Sequence, residues 1–231
     1  MSGEPVQDSP GPFRNHLGDK DYLITVLNEL GCTYRQEGDL EKSLEFLGKS
    51  LQYSQELGKS FEQLDNLDDI SVTYYQLAAS TPGNKKIQDE YIENARTYAG
   101  RVKELIGKAD GERAFTFMLA KAERTLGDLA YLEEEYDEAF ERYFESSLMM
   151  ARAWMLSKRA SVFLQRRYEE ALDRLQEQLH ALAQRKGIDV MMEYVDKMFE
   201  RLSALSPAEK KVMAQMQEYL KSTKETARLV Q

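Results

Sequence analysis

Apolar residues recur every three or four positions from Asp21 onward, the rhythm of amphipathic helices. Leu23, Leu27, Leu30 and Tyr34 share one helical face. Residues 37–39 interrupt the pattern: Gly38 can adopt the left-handed conformation that ends a helix, and Asp39 can cap the next. A second stripe follows at Leu40, Leu44, Leu47 and Leu51. Two helices joined by so short a turn lie antiparallel. The unit recurs. Leu64, Leu67, Ile70 and Tyr74 form a stripe, residues 80–84 break it, and Ile87, Tyr91, Ala95, Tyr98, Val102 and Leu105 form the next. A long helix from about Glu112 to Glu134 then meets one starting near Tyr136, with the turn at Glu133, Glu134 and Glu135. A further pair is expected around Tyr168, its second helix beginning near Glu169 and ending at Gly187. The pattern predicts about ten helices and no strand.

The two ends read differently. Residues 1–19 are rich in Pro, Gly, Ser and Asp and are expected to be a flexible leader. Residues 20–187 hold the expected array of about four helix pairs. In residues 188–231, Ile188, Met191, Met192, Val195, Met198, Phe199 and Leu202 form a broad stripe. It is expected to cover the helix around Leu172, Leu175 and Leu179. Ser206, Pro207 and Glu209 form a capping box with proline in the first turn, a clear helix start. The final helix, from 207 to about 228, is expected to be a separate rod. Its stripe of Val212, Met216, Tyr219 and Leu220 can fold back on the array or meet a partner or a second copy, and the latter is the favoured expectation.

Residues 126–148, LGDLAYLEEEYDEAFERYFESSL, carry an internal order that residues 30–51, LGCTYRQEGDLEKSLEFLGKSL, repeat. Leu126-Gly127 correspond to Leu30-Gly31, and Tyr136, Ala139, Tyr143 and Ser146 to Leu40, Ser43, Leu47 and Ser50. The segment RRYEEALDRL at 166–175 repeats the start of the second helix. This order resembles the tetratricopeptide repeat. Its small positions, Gly31, Ser43, Gly127, Ala139 and Ala171, let helix backbones approach closely, and large neighbours fill the grooves between them. The second unit fits with about a dozen extra residues before Ala95, and the fourth has Lys158-Arg159 at the Leu-Gly position. Residues 188–231 do not match. The resemblance implies an all-α fold: antiparallel helix pairs stacked as a right-handed solenoid, closed by a C-terminal capping or docking segment.

In that family, first-helix residues line a concave groove that receives peptides. The resemblance carries this role onto Thr25, Asn28, Cys32 and Arg35 in the first unit. In the second it falls on Asp65, Asp68 and Tyr75, and in the third on Lys121, Arg124, Asp128 and Tyr131. Such a groove is acidic in the middle and basic at Lys121 and Arg124, suiting a partner segment of mixed charge held by hydrogen bonds and tyrosine anchors. The bland alternative is that these are ordinary surface positions. Chaperone-binding members of the family clamp a C-terminal carboxylate with a Lys and an Asn in the first repeat. Here those positions hold Asn28 and Cys32, which argues against that clamp.

Composition narrows the function. With 42% hydrophobic residues, 31% charged residues and only 5 Pro, the chain suits long helices and is too apolar for disorder. Charge divides along it: residues 1–150 carry 16 basic and 29 acidic residues, residues 151–231 carry 15 and 11. The single cysteine, Cys32, excludes an intrachain disulfide and suits a reducing, cytoplasmic setting. No segment reads as a signal peptide or a membrane span, so no membrane partner is expected. His16 and His180 are the only histidines, no glycine-rich phosphate loop occurs, and no Cys/His cluster has zinc spacing. The expectation is no enzyme, no cofactor and no metal. The basic residues Arg152, Lys158, Arg159, Arg166 and Arg167 lie near Trp154 and Phe163, whose spacing fits core packing, so nucleic acid is not the expected partner. Nine of the ten methionines lie at or after Met118, where they fill a core or adapt to a partner.

The leading expectation is a scaffold or adaptor that binds a protein or peptide segment in the groove, with self-association through the C-terminal helices as an option. The alternative is a regulatory sensor module of a signalling, defence or transcription-control assembly. A weaker one is a nucleic-acid-associated protein using the basic C-terminal third.

Overall fold

The computed structural model describes residues 16–108, 115–157 and 162–230, and every regular element among them is helical. Of the expected flexible leader at 1–19, residues 16–19 are helical, a correction to its boundary; residues 1–15, the helix start near Glu112, and Lys158-Arg159 lie outside the described residues. The helices are α1 (His16–Glu37), α2 (Leu40–Glu56), α3 (Ser60–Ser80), α4 (Lys85–Lys108) and α5 (Thr116–Leu132). They continue with α6 (Tyr136–Leu156), α7 (Val162–Lys186), α8 (Ile188–Ala204), α9 (Pro207–Val212) and α10 (Ala214–Val230). From α1 to α8 each helix packs on the next, and α3 also touches α1 and α5.

The internal repeat is visible in the packing. In the first pair, a Cβ on Gly31 would lie 2.6 Å from Leu47 Cγ; in the third, a Cβ on Gly127 would lie 2.9 Å from Tyr143 Cε1. The Ser50 hydroxyl donates to the Ile24 carbonyl at 2.8 Å, and the Ser146 hydroxyl to the Ala120 carbonyl at 2.7 Å. Both bonds span 26 residues. The turns match too. Asp39 N–H bonds to the Tyr34 carbonyl at 2.9 Å behind Gly38 at φ 85°, and Glu135 N–H to the Ala130 carbonyl at 2.8 Å behind Glu134 at φ 64°. The third pair thus places glutamate where the first has the glycine that a left-handed helix end favours.

Two stripes sit one residue off the faces that the spacing predicts. In α1, Ile24 is buried, whereas Leu23 and Leu30 are each 39% exposed at the open edge of the first pair. In α4 the buried line is Ile92, Ala95, Ala99, Val102 and Ile106, leaving Ile87 and Leu105 in water. Small alanines let α4 sit close, and the larger residues beside them remain at the margin.

The fourth pair also differs from expectation. α7 runs unbroken through Tyr168, so no separate first helix precedes it; its partner in the next antiparallel pair is α8. Nothing in residues 162–186 breaks a helix, and Tyr168 and Ala171 are buried within it. Met191, Val195, Met198 and Leu202 of α8 cover Leu175, Leu179 and Leu182 of α7 in a single cluster. The final rod is split at Met213, and its apolar stripe turns inward: Met213, Met216 and Leu220 are fully buried in that same cluster. Ser206 and Glu209 do form the capping box, and Glu209 also accepts from Arg152 of α6 at 2.6 Å.

Candidate functional site

α3 packs against α1 and α5, and Arg174 of α7 reaches Asp128 of α5. Polar residues on these helices meet between neighbours and form three rungs. In the first, Asn28 of α1 donates to Asn66 and Asp69 of α3, both at 3.1 Å. Arg35 donates to the Asp69 carboxylate at 2.9 Å and to its carbonyl at 3.0 Å. Cys32 lies within this rung, its sulfur accepting from Arg35 at 3.7 Å. Burial, reinforced by the Asp69 charge, pushes the Cys32 thiol up to about 12 despite Arg35. It is therefore a poor nucleophile at neutral pH.

In the second rung, Lys121 of α5 reaches Asp65 at 2.8 Å and Asp68 at 2.9 Å on α3. Lys121 and Asp68 are both buried. Burial works against the Lys121 ammonium, but Asp68, Asp69 and Asp65 outweigh it and hold the group above its usual range. Asp69 is likewise kept below the ordinary carboxylate range, burial being overcome by Lys121 and Arg35. The third rung joins α5 to α7. Asp128 accepts from the Tyr143 hydroxyl at 2.8 Å and from Arg174 Nε at 2.9 Å. Arg174 also donates to the Tyr75 hydroxyl of α3 at 3.1 Å. Burial raises the Asp128 carboxyl, with Arg174 and Tyr143 pulling against it.

Most residues to which the resemblance assigns peptide contact are thus engaged with one another. Asn28, Arg35, Asp65, Asp68, Lys121 and Asp128 bind neighbouring helices, with Cys32 enclosed among them. Tyr131 points elsewhere: its ring packs edge-on against Tyr136 at 5.3 Å and Phe140 at 6.3 Å, inside the core. Thr25 is exposed at the margin. Tyr75, Arg124 and Asp128 of the set border a common opening among the described residues. This cavity of about 580 Å³ is lined by Val72, Tyr75, Gln76 and Ala79 of α3, Arg124 and Asp128 of α5, and Arg174 of α7. Arg124 makes no ion pair or hydrogen bond among the described residues.

Two contributors escape the sequence reading. Asp69, the hub of the first rung, is adjacent to the expected Asp68; the cluster Asp65, Asp68, Asp69 was its signal. Arg174 lies in the segment read as a second helix, a face that the resemblance does not assign to the groove. Among the described residues no group of three or more His, Cys, Asp or Glu side chains is arranged to hold a metal ion, and no helix is long and apolar enough to cross a membrane. No protein-family model matches the chain, and no curated protein matches it.

Proposed function

We propose that this chain is a non-catalytic, cytoplasmic, tetratricopeptide-like right-handed solenoid that holds a peptide segment of another protein on the face formed by α1, α3, α5 and α7. The observation that carries this reading is the cavity between α3, α5 and α7, which combines apolar walls at Val72 and Ala79 with convergent polar groups at Tyr75, Gln76 and Arg124. The neighbouring rungs are tied by hydrogen bonds and ion pairs between helices, so they act as a frame, and the binding surface is the opening they leave. Ala79 is exposed on the last turn of α3, so a large side chain there fills the cavity without entering the core. Peptides selected from a random displayed library on the wild-type chain are expected to bind it and to lose binding to Ala79→Trp. Peptides that bind both forms equally, or a library that yields none, would defeat this proposal.

A further inference from the structure

We infer that the segment received by this cavity carries an acidic side chain, whose carboxylate seats on Arg124. The inference rests on the groove reading above and names the chemistry of its occupant.

The first argument is the state of Arg124 itself. The charged residues of the three rungs have partners: Arg35 with Asp69, Lys121 with Asp65 and Asp68, and Arg174 with Asp128 and Glu177. Arg124 has none among the described residues, although it is partly withdrawn from water in the cavity wall. Asp128, a carboxylate that it influences, already accepts from Tyr143 and Arg174 and makes no ion pair with Arg124. A guanidinium has five donors in a planar fork and no acceptor, so what completes it is an anionic oxygen pair.

The second argument is the rest of the lining. The Tyr75 hydroxyl accepts from Arg174, which leaves its own proton to donate into the opening. Gln76 brings an amide donor one residue further along α3 and is not committed to another group. Two guanidiniums, a phenol and an amide therefore converge, while the one carboxylate in the wall is buried behind them. Glu177 also reaches Arg174, at 3.2 Å, but is 67% exposed on the outer side, where water screens it. Val72 and Ala79 offer the apolar floor that an aliphatic stem beside a carboxylate needs.

The same library selection separates this inference from the groove reading beneath it. Peptides selected on the wild-type chain are expected to share Asp or Glu at one recurring position. Changing that residue to Asn or Gln should weaken binding about tenfold or more, as removal of a charge-assisted hydrogen bond does. Arg124→Gln should weaken it by a similar factor, and the two changes together by little more than either alone, the mark of a direct pair. Arg124→Gln is expected to melt like the wild type, because no internal bond is lost; Arg124→Lys, which keeps the charge, should retain part of the affinity. Selected peptides that lack an acidic preference but still lose binding to Ala79→Trp would overturn the inference and leave the groove intact. Additive losses in the double-change experiment would overturn it as well. So would an Arg124-dependent dimer seen by light scattering, since the occupant would then be a second copy.

Discussion

At Gly127 the spacing between two helices is set by the lack of a side chain. A Cβ there would meet Tyr143 ring carbons at 2.9 and 3.0 Å and the Ala139 carbonyl at 3.2 Å. The ring has no free room to yield, since Tyr143 is buried and its hydroxyl is tied to Asp128. Gly127→Leu is therefore expected to destabilise the chain by about 1–3 kcal/mol through overpacking, read from the midpoint of chemical denaturation. An unchanged midpoint would mean that α5 and α6 do not approach as described. This contact was legible in the sequence, because a glycine facing a large aromatic at fixed spacing has one geometric meaning. The site was less legible. Side-chain type told that Asp68, Lys121 and Asp128 sit on the row of first helices, but not that they would pair with one another. Pairing depends on the offset between helices distant in the chain, which no local pattern encodes. Arg124 and Lys121 look alike in the sequence, and only the packed structure distinguishes the paired cation from the one with no ion pair among the described residues.

Helix ends show how much of each element the chain spells out locally. The turns after Glu37 and after Leu132 have the same backbone bonds, and the first uses glycine at its left-handed residue. Glu134 holds that conformation with a side chain, at a cost of about 1–2 kcal/mol relative to glycine, of which the greater freedom of unfolded glycine returns part. Its ion pair with Lys186, at 2.9 Å between two largely exposed groups, contributes little. Glu134→Gly should thus stabilise the chain by about 0.5–1 kcal/mol; a lower denaturation midpoint in the variant would contradict the assigned turn. Breaks marked by Gly, Pro or Asp were readable in advance, as at Gly38, at residues 80–84, at Gly187 and at Ser206. The boundary between α6 and α7 was not. Leu156 and Val162 flank it without proline or glycine, and the aromatic–small pattern at Tyr168 and Ala171 imitates a helix start. That pattern records what the two residues pack against, with Tyr168 stacked on Trp154 at 6.0 Å, and packing recurs in the middle of a helix as readily as at its beginning.

Across the described molecule, one core joins α6 and α7 to the C-terminal helices α8 to α10. The cluster that holds Phe140, Tyr143 and Phe144 of α6 extends through Leu175 and Leu179 of α7 to Val195 of α8 and Met216 of α10. Without α9 and α10 the apolar faces of α7 and α8 in that cluster would lie in water. The amphipathic stripe of the final helix was evident in the sequence, but its direction was not: a stripe that suits a partner also suits the neighbouring helix of the same chain. Burial decides between them. Met213, Met216 and Leu220 are each fully covered, and Tyr168 donates to the Met213 sulfur at 3.7 Å. Full burial of a side chain of this size is worth about 1.5–3 kcal/mol, so the three together approach the 5–15 kcal/mol that stabilises an ordinary domain. Deleting residues 207–231 also removes Glu209 from Arg152 and uncovers Tyr168, Val195 and Met198. The shortened chain is therefore expected to melt at a lower temperature, to bind a hydrophobic dye and to aggregate, rather than to persist as a folded protein. Scanning calorimetry and light scattering on the deletion variant test this directly. A monomer with unchanged melting would show that α9 and α10 lie on the surface of the other helices and contribute nothing to their core.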